Sequence, residues 1–384
     1  MIVTRLNLSD FRNYEAADIE LVAGANLFVG SNGQGKTNLV ESLGYLSTLG
    51  SHRVPTDQAL VRAGADSAIV RARLQHGDRS VLVEVQINRS SANRAQVNRS
   101  PIKTRDLPRY FSSVLFAPED LALVRAEPSG RRRFLDELLV LLSPRMSGVI
   151  ADYERVLKQR NTLLKSARAT GVKGDRLSTL EIWDDRLVQL GSELVAARSE
   201  LVERLIPEVA AAYRSIAGDD HAASLALSLT VLGADPEEGV ADAVGTGAVA
   251  AEQVAGWFRS SLERLRRAEL ERGVTLAGPH RDDLVLTLNG LPARGYASHG
   301  ESWSFALALK LASAHVLRED APGGDPVLML DDVFAELDES RRGRLAQAVA
   351  GYEQVLITAA VYDDVPDELT GNTVRIRAGR VVEE

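Results

Sequence analysis

Apolar and polar positions alternate through the first thirty residues, as half-buried strands require: Val3, Leu6 and Leu8, then Ile19 and Leu21, then Leu27, Phe28 and Val29 running into Gly30. The period then lengthens and predicts a helix from Lys36 to about Leu49. Alternation returns in Ala68–Gln75 and Ser80–Asn88, joined at His76-Gly77-Asp78 as a hairpin, with short strands expected at Ala95–Asn98 and Val114–Ala117. At Pro118 the character changes. From Glu119 to about Glu208 the spacing is helical, with Ile150, Tyr153, Val156, Leu157 and Leu164 on one face. Leu187, Leu190, Leu194, Ala197, Leu201 and Leu205 form a second face, too short for an extended coiled coil, with Pro207 just beyond it. Ala222–Leu232 reads as a strand, Gly233–Ala250 as a surface linker and Gln253–Glu271 as a helix. Strands are then expected at Val274–Ala277, Leu284–Asn289, Val327–Leu330, Val355–Thr358 and Val374–Ile376, with helices at Glu301–Arg318 and Ser340–Ala350. Strands alternating with helices predict an α/β sheet, interrupted in sequence by a helical middle: residues 1–118 and 274–384 form one lobe, 119–273 the other.

Composition narrows the class. The 384 residues are 45% hydrophobic and 26% charged, an ordinary globular balance able to bury a substantial core. There is no cysteine, which excludes disulfides, thiol nucleophiles and cysteine-held metals and fits a reducing compartment. The six histidines show no His-x-x-x-His pair. The longest aliphatic run, Leu138–Leu142, is far short of the roughly 20 residues of a membrane span, and the N-terminus does not read as a leader. A soluble, cytoplasmic protein is expected.

The segment GSNGQGKT, Gly30 to Thr37, follows an apolar strand and opens a helix. In that context G-x-x-x-x-G-K-[ST] is a nucleotide phosphate cradle. Gly30, Ser31, Asn32, Gly33, Gln34 and Gly35 would bring backbone N–H groups to phosphate oxygens; Lys36 supplies a point charge and Thr37 a hydroxyl for Mg²⁺. Downstream, VLMLDDVFAELD sets four apolar residues before two acids, as at the C-terminal end of a buried strand. Asp331 would hold Mg²⁺, and Asp332 could polarise an attacking water.

Together with ASHGES (Ala297 to Ser302), these segments resemble ABC-type ATPase heads of the SMC-like group, and more narrowly the RecF family of recombination mediators. Supporting segments are LNLSDFRNY, FAPEDLALV, RRRFLD, YERVLKQRN and AGPHRDDL, so the likeness spans nearly the whole chain. It implies an ABC-type P-loop ATPase head, a mixed sheet plus an antiparallel β subdomain, with an inserted, mainly α-helical lobe. It also implies ATP and Mg²⁺ sandwiched between two subunits. Ser298 and Gly300 would reach the γ-phosphate on the partner's loop, Glu301 would stand beside them, Ala335–Asp338 would cross the dimer interface, and Arg12 and Asn13 would lie near the nucleotide. Ser298 with Glu301 also fits a plain helix N-cap. Three departures from the usual pattern of ABC-type heads stand out: Asp332 where a glutamate is usual, His299 in place of the first signature glycine, and ITAAV (Ile357 to Val361) without the usual histidine. Slow hydrolysis is expected, with ATP acting as a timer.

Net charge is −8, so nucleic-acid binding would need local patches. Arg89, Arg94, Arg99, Lys103, Arg105 and Arg109 form one strip; Arg131, Arg132 and Arg133, with Arg155, Lys158, Arg160, Lys165 and Arg168, form another. Tyr110 and Phe111 flank the first strip but read as core. The resemblance implies a DNA clamp acting at single-strand gaps and junctions in replication, recombinational repair and SOS induction, with RecR and RecO as partners. Two other readings are a phosphotransferase acting on a small acceptor and a long-armed SMC-like nuclease partner. The first leaves ASHGES unexplained; the second needs arms or a Cys-x-x-Cys hook.

Overall fold

The computed structural model describes residues 1–170, 178–218, 221–233, 247–320 and 324–382. Contacts divide the chain into two units: Met1–Leu121, Ala211–His221 and Ser298–Glu384 form the first, and Ala122–Ala210 with Ala222–Ala297 the second.

In chain order the first unit begins with β1 (Ile2–Phe11), β2 (Tyr14–Glu20), β3 (Gly24–Val29), α1 (Lys36–Thr48), β4 (Ser67–His76), β5 (Arg79–Asn88), β6 (Arg94–Val97), β7 (Ser100–Ile102) and β8 (Ser113–Phe116). The chain continues through α2 (Leu121–Arg125), α3 (Pro128–Leu142), α4 (Met146–Thr170), α5 (Ser178–Ala217), β9 (Ala223–Ser228), α6 (Ala251–Arg272), β10 (Asp283–Leu288), β11 (Leu291–Pro292) and the single turn α7 (Ala293–Tyr296). Then come α8 (His299–Asp320), β12 (Val327–Asp331), α9 (Glu339–Val349), β13 (Gln354–Ala359), β14 (Asn372–Arg377) and β15 (Arg380–Val382).

Two sheets build the first unit. One is antiparallel, in the order β2-β1-β4-β5-β6-β7; the other is mixed, in the order β15-β14-β3-β13-β12-β8, antiparallel only at β15. β12 and β13 are buried along their whole length, which is why they read as unbroken apolar runs. Helix α1 touches β8, β12 and β13 of the mixed sheet and β4 of the antiparallel one. Covered on both sides, it buries Ser42, Gly44 and Ser47 as well as its leucines and so lacks a polar face. Each parallel strand ends at the same edge, so the residues after β3, β12 and β13 converge.

The second unit combines helices with the three-stranded sheet β11-β10-β9. Its interior is unusually ionic. Arg160 is fully buried and bonds Asp184 at 2.6 Å, Glu269 at 2.7 Å and Thr275 at 2.8 Å. Arg131 is buried against Asp283 at 2.7 and 2.8 Å and donates to the Leu123 and Ala126 carbonyls. Arg198 forks onto Asp136 and donates to the Pro279 carbonyl. A buried guanidinium needs partners, and every nitrogen of these three has at least one.

Several expectations are corrected. The second lobe ends at Ala297 and not at 273, because β10 pairs with β9 and not with the mixed sheet. Residues 211–221 belong to the first unit. Helix α5 runs through Pro207, whose lost hydrogen bond is outweighed by burial of Leu205, Val209, Tyr213 and Ile216. Val274–Ala277 is not a strand: Asn161 takes the Thr275 N–H and Glu269 the Leu276 N–H, which a strand would have needed. Most of the expected linker, 234–246, lies outside the described residues, as do 171–177 of the helical middle. The edge strands β7, β11 and β15 carried too few residues to show a period.

Asp282 yields a test. It is fully buried; its Oδ1 accepts from Thr230 N–H at 2.8 Å and Thr230 Oγ1 at 2.7 Å, while Oδ2 has no partner among the described residues. Burial pushes its pKa up to about 6. Such an acid binds its proton more tightly folded than unfolded, so its charge weakens folding as pH rises from near 4 and the full penalty is present above about 6. Asp282→Asn should therefore gain stability over wild type by up to about 3 kcal/mol between pH 4 and 7 in urea unfolding. A pH-independent gap would refute this.

Candidate nucleotide-binding site

Strand β3 stops at Val29, and α1 begins at Lys36 with Gly35 as N-cap at φ 112°. Ser31, Asn32 and Gly33 are exposed. The first turn of α1 carries no acid and no side-chain cap, so its amides and positive end remain open to an anion. Lys36 is buried at 3% exposure; its Nζ meets the Ser31 carbonyl at 3.5 Å and lies 4.0 Å from Asp332 Oδ2. An ammonium this enclosed, with one long hydrogen bond, fits a phosphate group.

Asp331 ends β12 and is buried. Thr37 Oγ1 donates to its Oδ1 at 2.9 Å, and Thr358 Oγ1, on the neighbouring β13, at 2.6 Å. Burial pushes its pKa up to about 6 against these two hydrogen bonds, helped by the charges of Asp332 and Glu119. Among the described residues no group of three or more acids or histidines could cage a metal by itself. A hydroxyl and one carboxylate suit Mg²⁺, which takes few protein ligands beside phosphate oxygens and water. Asp332 has φ +51°, and its N–H is held by the Thr358 hydroxyl at 3.0 Å and carbonyl at 3.2 Å. Its Oδ1 has no partner among the described residues. Sequence reasoning missed His52, whose Nε2 is buried without a hydrogen bond 4.0 Å from Asp331 Oδ2. Burial pulls its pKa down to about 4, so it is neutral at pH 7. A lone histidine after a helix gave no signal.

Asn13 stands at the loop: its Nδ2 donates to the Gln34 carbonyl at 3.0 Å. Arg12 points elsewhere, forking onto Glu41 at 2.6 and 2.8 Å and donating to the Ala59 carbonyl. Ser298 and His299 are exposed at the start of α8, and Gly300 is half-buried. Ser298 N–H donates to Glu301 Oε2 at 2.7 Å, and Glu301 N–H to Ser298 Oγ at 3.3 Å, the reciprocal capping pair. A Cβ at Gly300 would meet Arg341 at 3.0 Å. Ala335, Glu336 and Asp338 are exposed.

The basic strips divide. Arg94, Arg99, Lys103 and Arg105 are exposed. Arg89 is spent on the carbonyls of Val61, Arg62 and Ala65, and Arg132 is half-buried on that of Asp282. Arg133 pairs with Glu137, and Arg109 with Asp106. Arg131 and Arg160 are interior, so neither is a surface contact. Phe111 is core and Tyr110 packs against it. Missed in sequence was Arg73, exposed on β4, which with Arg99, Ser80, Leu82 and Asn98 lines an open cleft of about 300 Å³.

The model of the RecF/RecN/SMC N-terminal domain family matches residues 2–372. A protein of Clavibacter sepedonicus named "DNA replication and repair protein RecF" is 66% identical over the whole chain and 95% of its own length. The chain belongs to the RecF family. A Leifsonia xyli relative of the same name is also 66% identical, with both chains fully covered. Among solved structures, that titled recombination mediator protein RecF with ATPrS in the RecFOR pathway aligns at TM-score 0.86 and 27% identity, over 99% of this chain and 97% of the other. The ABC-type head expected for this family is the fold observed.

Glu41 lets Arg12 be tested. The carboxylate is fully buried; burial pushes its pKa up, but the hydrogen bonds from Arg12 and Ser51 outweigh this and hold it below the ordinary value. Arg12→Ala should cost about 3–5 kcal/mol in urea unfolding, and adding Glu41→Gln should recover much of it. Unchanged stability with weakened nucleotide affinity would instead put Arg12 on the nucleotide.

Proposed function

We propose that this RecF-family chain is an ATP-dependent DNA-binding protein of replication, recombinational repair and SOS induction, working in the cytoplasm. The observation that carries it is the coupling of the phosphate loop to the acidic strand end through Thr37 and Asp331. Lys36 would neutralise the β and γ phosphates, the loop and α1 amides would orient them, and Thr37 with Asp331 would hold Mg²⁺. The metal supplies charge neutralisation on the transferring phosphate. Asp332, with one carboxylate oxygen unpartnered among the described residues, takes the proton from water. Its short side chain makes for slow hydrolysis, stimulated by DNA.

The exposed start of α8 supports a shared nucleotide: Ser298 and Gly300 of one copy complete the site of a second. ATP then closes a homodimer, and hydrolysis reopens it. In the closed dimer Arg73, Arg94, Arg99, Lys103 and Arg105 contact DNA phosphates at gaps or junctions, where RecR and RecO join to load recombinase. Among the described residues no helix is long and apolar enough to cross a membrane.

Sedimentation with and without ATP tests this. Lys36→Ala should lose nucleotide binding; Ser298→Arg should bind ATP and stay monomeric. Normal dimerisation of Ser298→Arg would end the shared-site reading. Arg73→Glu with Arg99→Glu should weaken duplex binding and flatten its log–log salt dependence by about two, one for each lost phosphate contact. An unchanged slope would move the DNA to another face.

A further inference from the structure

The phosphate loop is held from its outer side by the far end of the chain. β14 runs parallel to β3, pairing Asn372–Arg375 with Asn26–Val29. Beyond Arg377 the chain reverses through Ala378 and Gly379, both at positive φ (+51° and +69°), and returns as β15. Both turn amides point at Gln34: Ala378 N–H donates to its Oε1 at 2.6 Å, and Gly379 N–H to its carbonyl at 2.9 Å. The same carbonyl accepts from Asn13 Nδ2. Asn13 is in turn fixed by Asn38 at 2.7 Å, and Asn38 by Arg53 at 3.0 Å. The fit is close. A Cβ on Gly379 would stand 2.6 Å from the Asn13 carbonyl oxygen, and one on Gly30 would overlap the Ile376 carbonyl.

Gln34 sits between Gly33 and Gly35, at φ +79° and +112°, the loop residues with most conformational freedom. Without outside support, the entropy of ordering that stretch would be charged against nucleotide binding. We propose that the Ala378–Gly379 turn is a latch that preorganises the phosphate loop, with Gln34 the positioning residue through which it acts. The turn grips Gln34 twice, at its backbone carbonyl and at its side-chain Oε1. Its role rests on the nucleotide-binding reading above. By linkage, a nucleotide that needs the latched loop also strengthens the latch.

The full chain is titrated with ADP and ATP, melted without nucleotide, and followed by amide exchange. Gln34→Ala and Gly379→Ala should weaken both nucleotides about tenfold, the size of an ordinary coupling between sites. Ala378→Gly keeps the N–H, suits the positive φ and should bind as wild type. In wild type, ADP should slow exchange at Ala378 and Gly379, a readout that needs no variant to fold. Gln34→Ala and Gly379→Ala both binding within twofold of wild type, or unchanged exchange at the turn, overturns the latch. Failure of wild-type protein to bind either nucleotide is a different result and overturns the nucleotide-binding reading together with the latch.

Discussion

A carboxylate buried between two hydroxyls ties the functional edge of this protein together. Asp331 takes Thr37 from the first turn of α1 and Thr358 from β13, the strand that separates β3 from β12. A buried acid costs free energy unless its oxygens are satisfied, and here its donors are groups of the site itself. The arrangement therefore fixes the phosphate loop relative to the acidic strand end before any ligand arrives. Thr358 has a second task. Its hydroxyl and carbonyl hold the Asp332 amide, keeping that residue in a left-handed conformation beside Lys36. The threonine of β13 thus positions both aspartates. The buried histidine near Asp331 is His52, arriving from beyond α1.

Arginine serves two ends in this molecule, and spacing along the chain does not separate them. Arg131 and Arg133 are two residues apart, yet one is enclosed with Asp283 while the other lies on the surface beside Glu137. Arg160 looks like one more charge on a basic helix and is instead the centre of a buried cluster. The segments RRRFLD, YERVLKQRN and AGPHRDDL meet inside the second unit and, with Arg198 of α5, supply its polar interior: Arg131 with Asp283, Arg198 with Asp136, Tyr153 with His280 at 2.7 Å. Ionic cores of this kind are geometrically demanding, because removing either partner strands the other. The basic residues left exposed near the antiparallel sheet are a smaller set, Arg94, Arg99, Lys103 and Arg105, together with Arg73.

Ser298 is at once a helix cap and an exposed residue. The hydroxyl and the Glu301 carboxylate cap α8 reciprocally, and the same residue is exposed at a helix start where an anion would be favoured. Capping orders the backbone there without covering it.

Periodicity and local chemistry determined much by themselves. The strands β1 to β6, the helices α1, α6, α8 and α9, and the phosphate loop were legible, because burial imposes period two or 3.6 and because tight turns and phosphate approach demand glycine at given positions. Asp331 was legible for the same reason, as an acid ending an apolar run. Tertiary structure decided the rest. Strand β10 chose β9 as partner, which moved the boundary between units to Ser298. Pro207 was absorbed into a helix that packing sustains, and Thr275 took side-chain partners in place of a ladder. Arg12, His52, Gln34 and the Ala378–Gly379 turn acquired their places through contacts between residues tens to hundreds of positions apart. No local pattern encodes such contacts, since each depends on where the rest of the chain has already been placed.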